Sequence, residues 1–187
     1  MKNIIKKEFE EHAEVLTKVI ENSGVVIEEV AHKCLRAIKT NNKILLFGNG
    51  GSAADAQHIA AELSGRYKKE RRGLPALALT TDTSALTAIS NDYGFNFMFS
   101  RQVEALAKPN DVVIGISTSG NSPNVLEGIK KAKELSCVTI GFSGKNGGKL
   151  KEICDINIVI PSDVTARIQE MHILAGHIIC QIIEDNL

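Results

Sequence analysis

Lys43-Ile-Leu-Leu-Phe47 runs straight into Gly48-Asn49-Gly50-Gly51-Ser52, and from Ser52 to Ser64 the chain is helical in character. A short apolar run, a glycine turn and a helix, in that order, form the opening arm of a βαβ unit. The same grammar recurs down the chain. Pro75-Ala-Leu-Ala-Leu-Thr80 precedes a helix capped near Asp82. Asp111-Val-Val-Ile-Gly-Ile-Ser117 passes through a Ser/Gly loop into a helix near residues 123–135. Val138-Thr-Ile-Gly-Phe142 and Ile156-Asn-Ile-Val-Ile160 are the fourth and fifth runs, and a last long helix spans about Val164 to Glu184. Five apolar runs alternating with helices predict a parallel sheet covered on both faces. Right-handed crossovers make it a doubly wound α/β sandwich, with strand order 2-1-3-4-5.

Upstream of this sandwich, over residues 42–187, lie two further helices in residues 1–41. In the first, residues 2–22, Ile5, Phe9, Ala13, Leu16 and Ile20 recur at three- and four-residue intervals. The second runs from about Ser23, a candidate N-cap, to Thr40. Both must bury an apolar stripe, and a partner subunit is a candidate to cover it. The sequence has no internal repeat, low-complexity segment or linker. At 187 residues the expectation is one domain, large enough to bury roughly 70% of its unfolded surface.

Lys plus Arg equals Asp plus Glu at 22 each, so the formal net charge is zero. No global field steers the chain to nucleic acid or to a membrane. The basic run Lys68-Lys69-Glu70-Arg71-Arg72 reads as a solvated turn. Cys34, Cys137, Cys154 and Cys180 form no Cys-x-x-Cys pair and sit in apolar runs, as reduced, buried thiols do. Acids begin at Glu8, no apolar stretch has signal-peptide or membrane-span length, and a cytoplasmic location is expected.

Two loops carry the chemistry. Gly48-Asn49-Gly50-Gly51-Ser52 follows strand one, and Ser117-Thr118-Ser119-Gly120-Asn121-Ser122 follows strand three; each opens a helix. A helix N-terminus offers unpaired N–H donors and partial positive charge, which suits a phosphate. Glycines let the backbone approach closely, and hydroxyls add donors without adding charge. The first loop is neither a GxGxxG dinucleotide turn nor a Walker loop with its lysine, so nucleotide binding is disfavoured. In the second loop, four hydroxyl residues in six positions exceed what capping alone requires. In strand order 2-1-3-4-5 both loops open into one crevice at the switch point of the sheet.

On the helix after the first loop, His58 and Glu62 stand four apart and share a face. An imidazole and a carboxylate so placed can bind a divalent ion, although elsewhere such a pair is usually a surface ion pair. The last helix offers Gln169, Glu170, His172 and His177. Spacing alone does not choose between the two His or between Gln169 and Glu170. His12 and His32 read as structural.

The run Gly48-Asn-Gly-Gly-Ser-Ala-Ala-Asp-Ala-Gln-His58, continuing to Glu62 and Arg66, resembles the phosphoheptose isomerases of the sugar isomerase (SIS) fold family. So do Ser90-Asn-Asp-Tyr-Gly-Phe95, Ser117-Thr-Ser-Gly-Asn-Ser122 and Ala166-Arg-Ile-Gln-Glu170 with His177. The resemblance covers nearly the whole chain. It implies conversion of sedoheptulose 7-phosphate to D-glycero-D-manno-heptose 7-phosphate, an early step toward nucleotide-activated heptoses of surface polysaccharides. It implies a cytoplasmic homotetramer with one zinc per subunit. By position, His58, Glu62, Gln169 and His177 match zinc ligands, and Ser52, Ser117, Thr118, Ser119 and Ser122 match phosphate contacts. Asn49, Gly50, Gly51, Asn91 and Asp92 match substrate-contacting positions, and Glu62 and His177 match the catalytic pair. The rival implied by the same fold is a non-catalytic adaptor that binds a replication initiator protein. The presence of His58, Glu62, Gln169 and His177 together favours the enzyme. A sugar-phosphate sensor would need a DNA-binding segment, which this sequence does not offer.

Overall fold

The computed structural model describes residues 2–187. Five parallel strands, β1 Ile44–Gly48, β2 Ala76–Ala78, β3 Val112–Ser117, β4 Val138–Gly144 and β5 Ile156–Ile160, form one sheet in the order β2-β1-β3-β4-β5. Every residue of β1 and β3 is buried, as strands covered on both faces require. The helices are α1 Lys2–Asn22, α2 Gly24–Lys39, α3 Gly51–Ser64, α4 Thr83–Tyr93, α5 Met98–Leu106, α6 Pro123–Glu134, α7 Gly148–Ile153 and α8 Thr165–Asp185. A single turn of 3-10 helix, Phe95–Phe97, joins α4 to α5.

One face of the sheet packs Leu46, Ile114 and Phe142 against α2, α3 and α8 through residues such as Ile38, Ile59 and Met171. The other packs Leu45, Phe47 and Val113 against α5 and α6 through Phe99, Val125 and Ile129. Phe47 and Phe99 stack with ring centroids 4.8 Å apart, close to the Gly128 backbone, where a Cβ would overlap the Phe47 ring. These contacts hold α3 and α6, the two helices that follow the candidate loops, against the sheet.

The N-terminal helices differ from expectation in two ways. Ser23 precedes α2, yet its side chain makes no capping bond; its backbone is helical and its N–H donates to Val19 O at 2.9 Å. α1 and α2 are therefore almost continuous. In α1, Val15 and Val19 reach the core, while Phe9 and Ile20 of the expected apolar stripe stay 72% and 71% exposed. Among the described residues, Leu16 of the stripe packs against the core while Ile5, Phe9 and Ile20 find no cover. Asp82 caps α4 as its sequence position suggests, accepting from Ala85 N at 2.9 Å. Helix α4 buries none of its own residues, and Tyr93 at its end and Phe95 and Phe97 beyond it are exposed. Among the described residues, no helix is long and apolar enough to cross a membrane.

Candidate active site

β1 and β3 are hydrogen-bonded neighbours with Gly48 opposite Ile116, so the two Gly/Ser loops leave the sheet side by side. At Gly48 a side chain would run into Ile116 O and Ser52, and Gly50 adopts a φ of +55°. Glycine is what lets strand, loop and α3 come this close. Gly50 gives α3 no side-chain cap, and Ser122, at the N-cap position of α6, makes none either. Its hydroxyl turns instead to Ser117 Oγ at 2.9 Å, and Ser117 Oγ lies 3.4 Å from Ser119 Oγ. Three neutral hydroxyls thus meet at the start of a helix whose dipole favours an anion. Gly120, at φ +65°, packs this loop against the Gly147 carbonyl with no room for a Cβ. Thr118 O accepts from Gly144 N at 3.1 Å, which ties the loop to β4.

Asn49 and Asn124 exchange two amide hydrogen bonds of 2.9 and 2.8 Å and so clip the first loop to α6. The sequence reading placed Asn49 among substrate contacts and passed over Asn124, which is buried just after Pro123. A cavity of about 320 Å³ adjoins the first loop, lined by Asn49, Gly50, Thr80, Leu86 and Phe95 among others. Ser52 is buried at the start of α3. Asn91 and Asp92 lie exposed near the end of α4, hydrogen-bonded to each other at 2.9 Å; no hydrogen bond among the described residues joins them to either loop.

Further along α3, His58, Glu62 and the α8 residue His177 converge. His58 Nε2 is 3.0 Å from His177 Nε2 and 3.1 Å from Glu62 Oε1, and one ligand atom from each of the three lies within 4.8 Å of the others. Two imidazole nitrogens at that distance can share a single proton at most, or both can face one cation. Zinc takes such nitrogens and carboxylate oxygens at about 2.0–2.2 Å in tetrahedral sites, which sets ligands roughly 3.3 Å apart. The donor set therefore fits a divalent ion. Gln169 packs over Gly51 at the loop end of the α3–α8 seam, where a Cβ on Gly51 would overlap its amide. Among the described residues no hydrogen bond ties it to the other three.

The structure separates the alternatives that spacing left open. His172 is fully buried, its Nε2 3.0 Å from Ser143 O, and burial pushes its pKa down to about 4. It is a core residue against β4. Glu170 faces away from the cluster, accepting from Arg167 at 2.6 Å and meeting His12 Nδ1 at 2.8 Å. His12 is thus structural in a specific way, since with Arg167, which donates to Glu8 O at 2.7 Å, it fastens α1 to α8. His32 lies 3.7 Å from Glu28 on its own helix.

The sequence reading also missed Asp55. It lies on α3 three residues before His58 and seven before Glu62, a spacing that marks one helical face. Its Oδ2 is buried without a partner, and burial raises its pKa to about 6 against the opposing pull of His58. The basic run is also only partly a solvated turn, because the Arg71 side chain is 11% exposed and ion-paired to the buried Glu184 at 3.0 Å.

A doubly wound sheet with a hydroxyl cup at its switch point and an imidazole–carboxylate cluster beside it defines a SIS-type protein, and the SIS domain family matches residues 9–144. The phosphoheptose isomerase of Aliarcobacter butzleri is 62% identical over 187 residues, 100% of this chain and 99% of that protein. That of Helicobacter pylori (strain ATCC 700392 / 26695) is 56% identical over 97% of this chain and 95% of its own. The solved phosphoheptose isomerase of Neisseria gonorrhoeae superposes with a TM-score of 0.94 at 44% identity, covering 98% of both chains. This chain belongs to the phosphoheptose isomerase family of SIS-domain proteins.

Proposed function

We propose that this chain, acting as one SIS domain over residues 1–187, converts sedoheptulose 7-phosphate to D-glycero-D-manno-heptose 7-phosphate for heptose biosynthesis. The observation that carries the reading is the convergence of His58 and Glu62, on the helix that follows the first Gly/Ser loop, with His177 of α8. The phosphate sits at the starts of α3 and α6, held by Ser52, Ser117, Thr118, Ser119 and Ser122. Asn49, Gly50, Gly51, Asn91 and Asp92 bind and orient the sugar.

The isomerisation moves one proton between C1 and C2 of the open-chain sugar and another between their oxygens, through an enediol. Glu62 takes the carbon-bound proton, and His177 serves the oxygens, a division between a Glu and a His known from other aldose–ketose isomerisations. His58, Glu62, Gln169 and His177 would hold one zinc ion per subunit, which when bound would polarise the substrate oxygens. The enzyme is a cytoplasmic homotetramer. The uncovered stripe of α1 and the exposed Tyr93, Phe95 and Phe97 near Asn91 and Asp92 support an assembly that completes the site.

The role of Glu62 is tested with substrate deuterated at the transferred carbon. Glu62→Gln should lose at least a hundredfold of the rate at which that deuterium washes into water. Washout near the wild-type rate would remove Glu62 as the base.

A further inference from the structure

Between α3 and β2 the chain wraps around one carboxylate. Glu184, in the last turn of α8, has a side chain only 1% exposed. It accepts the backbone N–H groups of Tyr67, Lys68 and Lys69 at 3.2, 2.8 and 2.8 Å, and Arg71 Nε at 3.0 Å. A carboxylate is ill placed at the end of a helix, where carbonyls already point negative. Burial alone would raise its pKa, yet these N–H donors and the Arg71 charge hold it below the usual carboxylate value. A side chain so disfavoured by its helix and so fully satisfied by a loop has the job of holding that loop.

Arg71 continues the connection. Its guanidinium donates to the carbonyls of Glu62, Leu63 and Gly65 at 2.8, 2.9 and 3.1 Å, closing the open end of α3. One ion pair therefore grips Glu62 through its own carbonyl and grips α8 seven residues beyond His177. The loop so fixed lays the Tyr67 ring on the His177 imidazole, centroids 5.7 Å apart and planes inclined by 25°. The Lys68 ammonium lies 4.9 Å from the Tyr67 ring centroid, a cation–π contact.

We propose that Arg71 and Glu184 form a latch that sets Glu62 opposite His177, and that the Tyr67 ring clamps the imidazole in its working orientation. All three are positioning residues, and the inference rests on the roles given above to Glu62 and His177. The ring face is what matters, so Tyr67→Phe should behave as wild type. Tyr67→Leu, which keeps apolar bulk and loses the flat ring, should lower kcat about tenfold or more with KM within about twofold. It should also weaken zinc about tenfold in competition with a chelator, as loss of an outer partner does. Glu184→Gln should lower kcat in the same way.

The test measures kcat, KM, zinc competition and melting temperature on the zinc-loaded protein for all three variants, with His177→Asn alongside. Tyr67→Leu matching wild type in both kcat and zinc affinity would overturn the clamp, as would Tyr67→Phe failing as badly as Tyr67→Leu. Glu184→Gln with wild-type kcat and zinc affinity would overturn the latch; if it does not fold, the Tyr67 pair still decides the clamp. The His177→Asn control separates the two readings. Turnover retained there contradicts the acid–base assignment itself, whereas turnover lost there but unaffected in Tyr67→Leu contradicts only the clamp.

Discussion

His172 is held neutral inside the fold, and that makes a specific stretch of the pH–stability curve its own. The imidazole is fully buried, with Nε2 facing Ser143 O at 3.0 Å, Nδ1 unpartnered and its ring 5.7 Å from that of Phe142. Its pKa falls from 6.5 to about 4 on folding, chiefly through desolvation, with the Ser143 contact working against the fall. The unfolded chain therefore binds the proton more readily. The stability contributed by a neutral His172 is intact above about pH 6.5 and drains away as pH falls toward 4. The linkage relation gives a loss of roughly 2 kcal/mol by pH 5 and roughly 3 kcal/mol by pH 4, relative to pH 8. Asp55 runs the other way, because its raised pKa favours the folded state as pH falls through the same window. Asp111 and Glu184, with lowered values, lose stability in more acid solution. Those groups are common to wild type and a His172→Leu variant, so the difference between the two isolates the imidazole. Urea unfolding followed by circular dichroism at fixed protein concentration, at pH 8, 6 and 5, measures it. The gap between the two proteins should close, or reverse in favour of Leu, by about 2 kcal/mol from pH 8 to pH 5. Parallel curves would refute the reasoning and would mean that the folded His172 takes up its proton as readily as the unfolded one.

Ser119→Ala and Ser122→Ala should each raise KM for the sugar phosphate about tenfold, the effect of about 1.4 kcal/mol from one lost hydrogen bond to a charged group. Unchanged KM in both would remove the hydroxyl cup as the phosphate site; the melting temperature of Ser122→Ala should barely move, since Ser122 makes no helix cap. Phe9→Glu and Ile20→Glu should leave the subunit fold within about 0.5 kcal/mol, both side chains being exposed in the isolated chain. If the α1 stripe is an interface, light scattering should report a smaller species for the double variant; an unchanged mass would exclude that surface.

Much of this fold was legible because its sheet is written in a simple grammar. Apolar runs such as Leu45–Phe47 and Val112–Ile116 have no alternative but burial on both faces, and each is followed by a glycine- or serine-rich turn. Strand adjacency then brought the two loops together without any knowledge of side chains. Met98–Leu106 and Gly148–Ile153 were not anticipated as helices, because the first is short and follows an aromatic cluster without a cap, while the second starts on Gly147 and Gly148, which disfavour a helix. The α1 stripe was legible as apolar but not as uncovered, since periodicity reports which side seeks cover and not where the cover is. At the site, i, i+4 spacing was enough to pair His58 with Glu62. Spacing left His172 and His177 open, and the rotation of α8 turns His177 to the α3 seam and His172 onto β4. Asp55 and Asn124 carried no motif of their own, and only tertiary packing shows that one is an orphaned carboxylate and the other a clip between loops. The Arg71–Glu184 pair is separated by 113 residues, and nothing local in the basic run distinguishes Arg71 from its solvated neighbours.

The purified protein, incubated with sedoheptulose 7-phosphate untreated, after chelation, and after chelation with zinc restored, can be followed for aldose formation by NMR. D-glycero-D-manno-heptose 7-phosphate should form in the untreated sample, be lost on chelation and return with zinc. No aldose under any of the three conditions, with the sugar phosphate still bound, would contradict the proposed isomerisation.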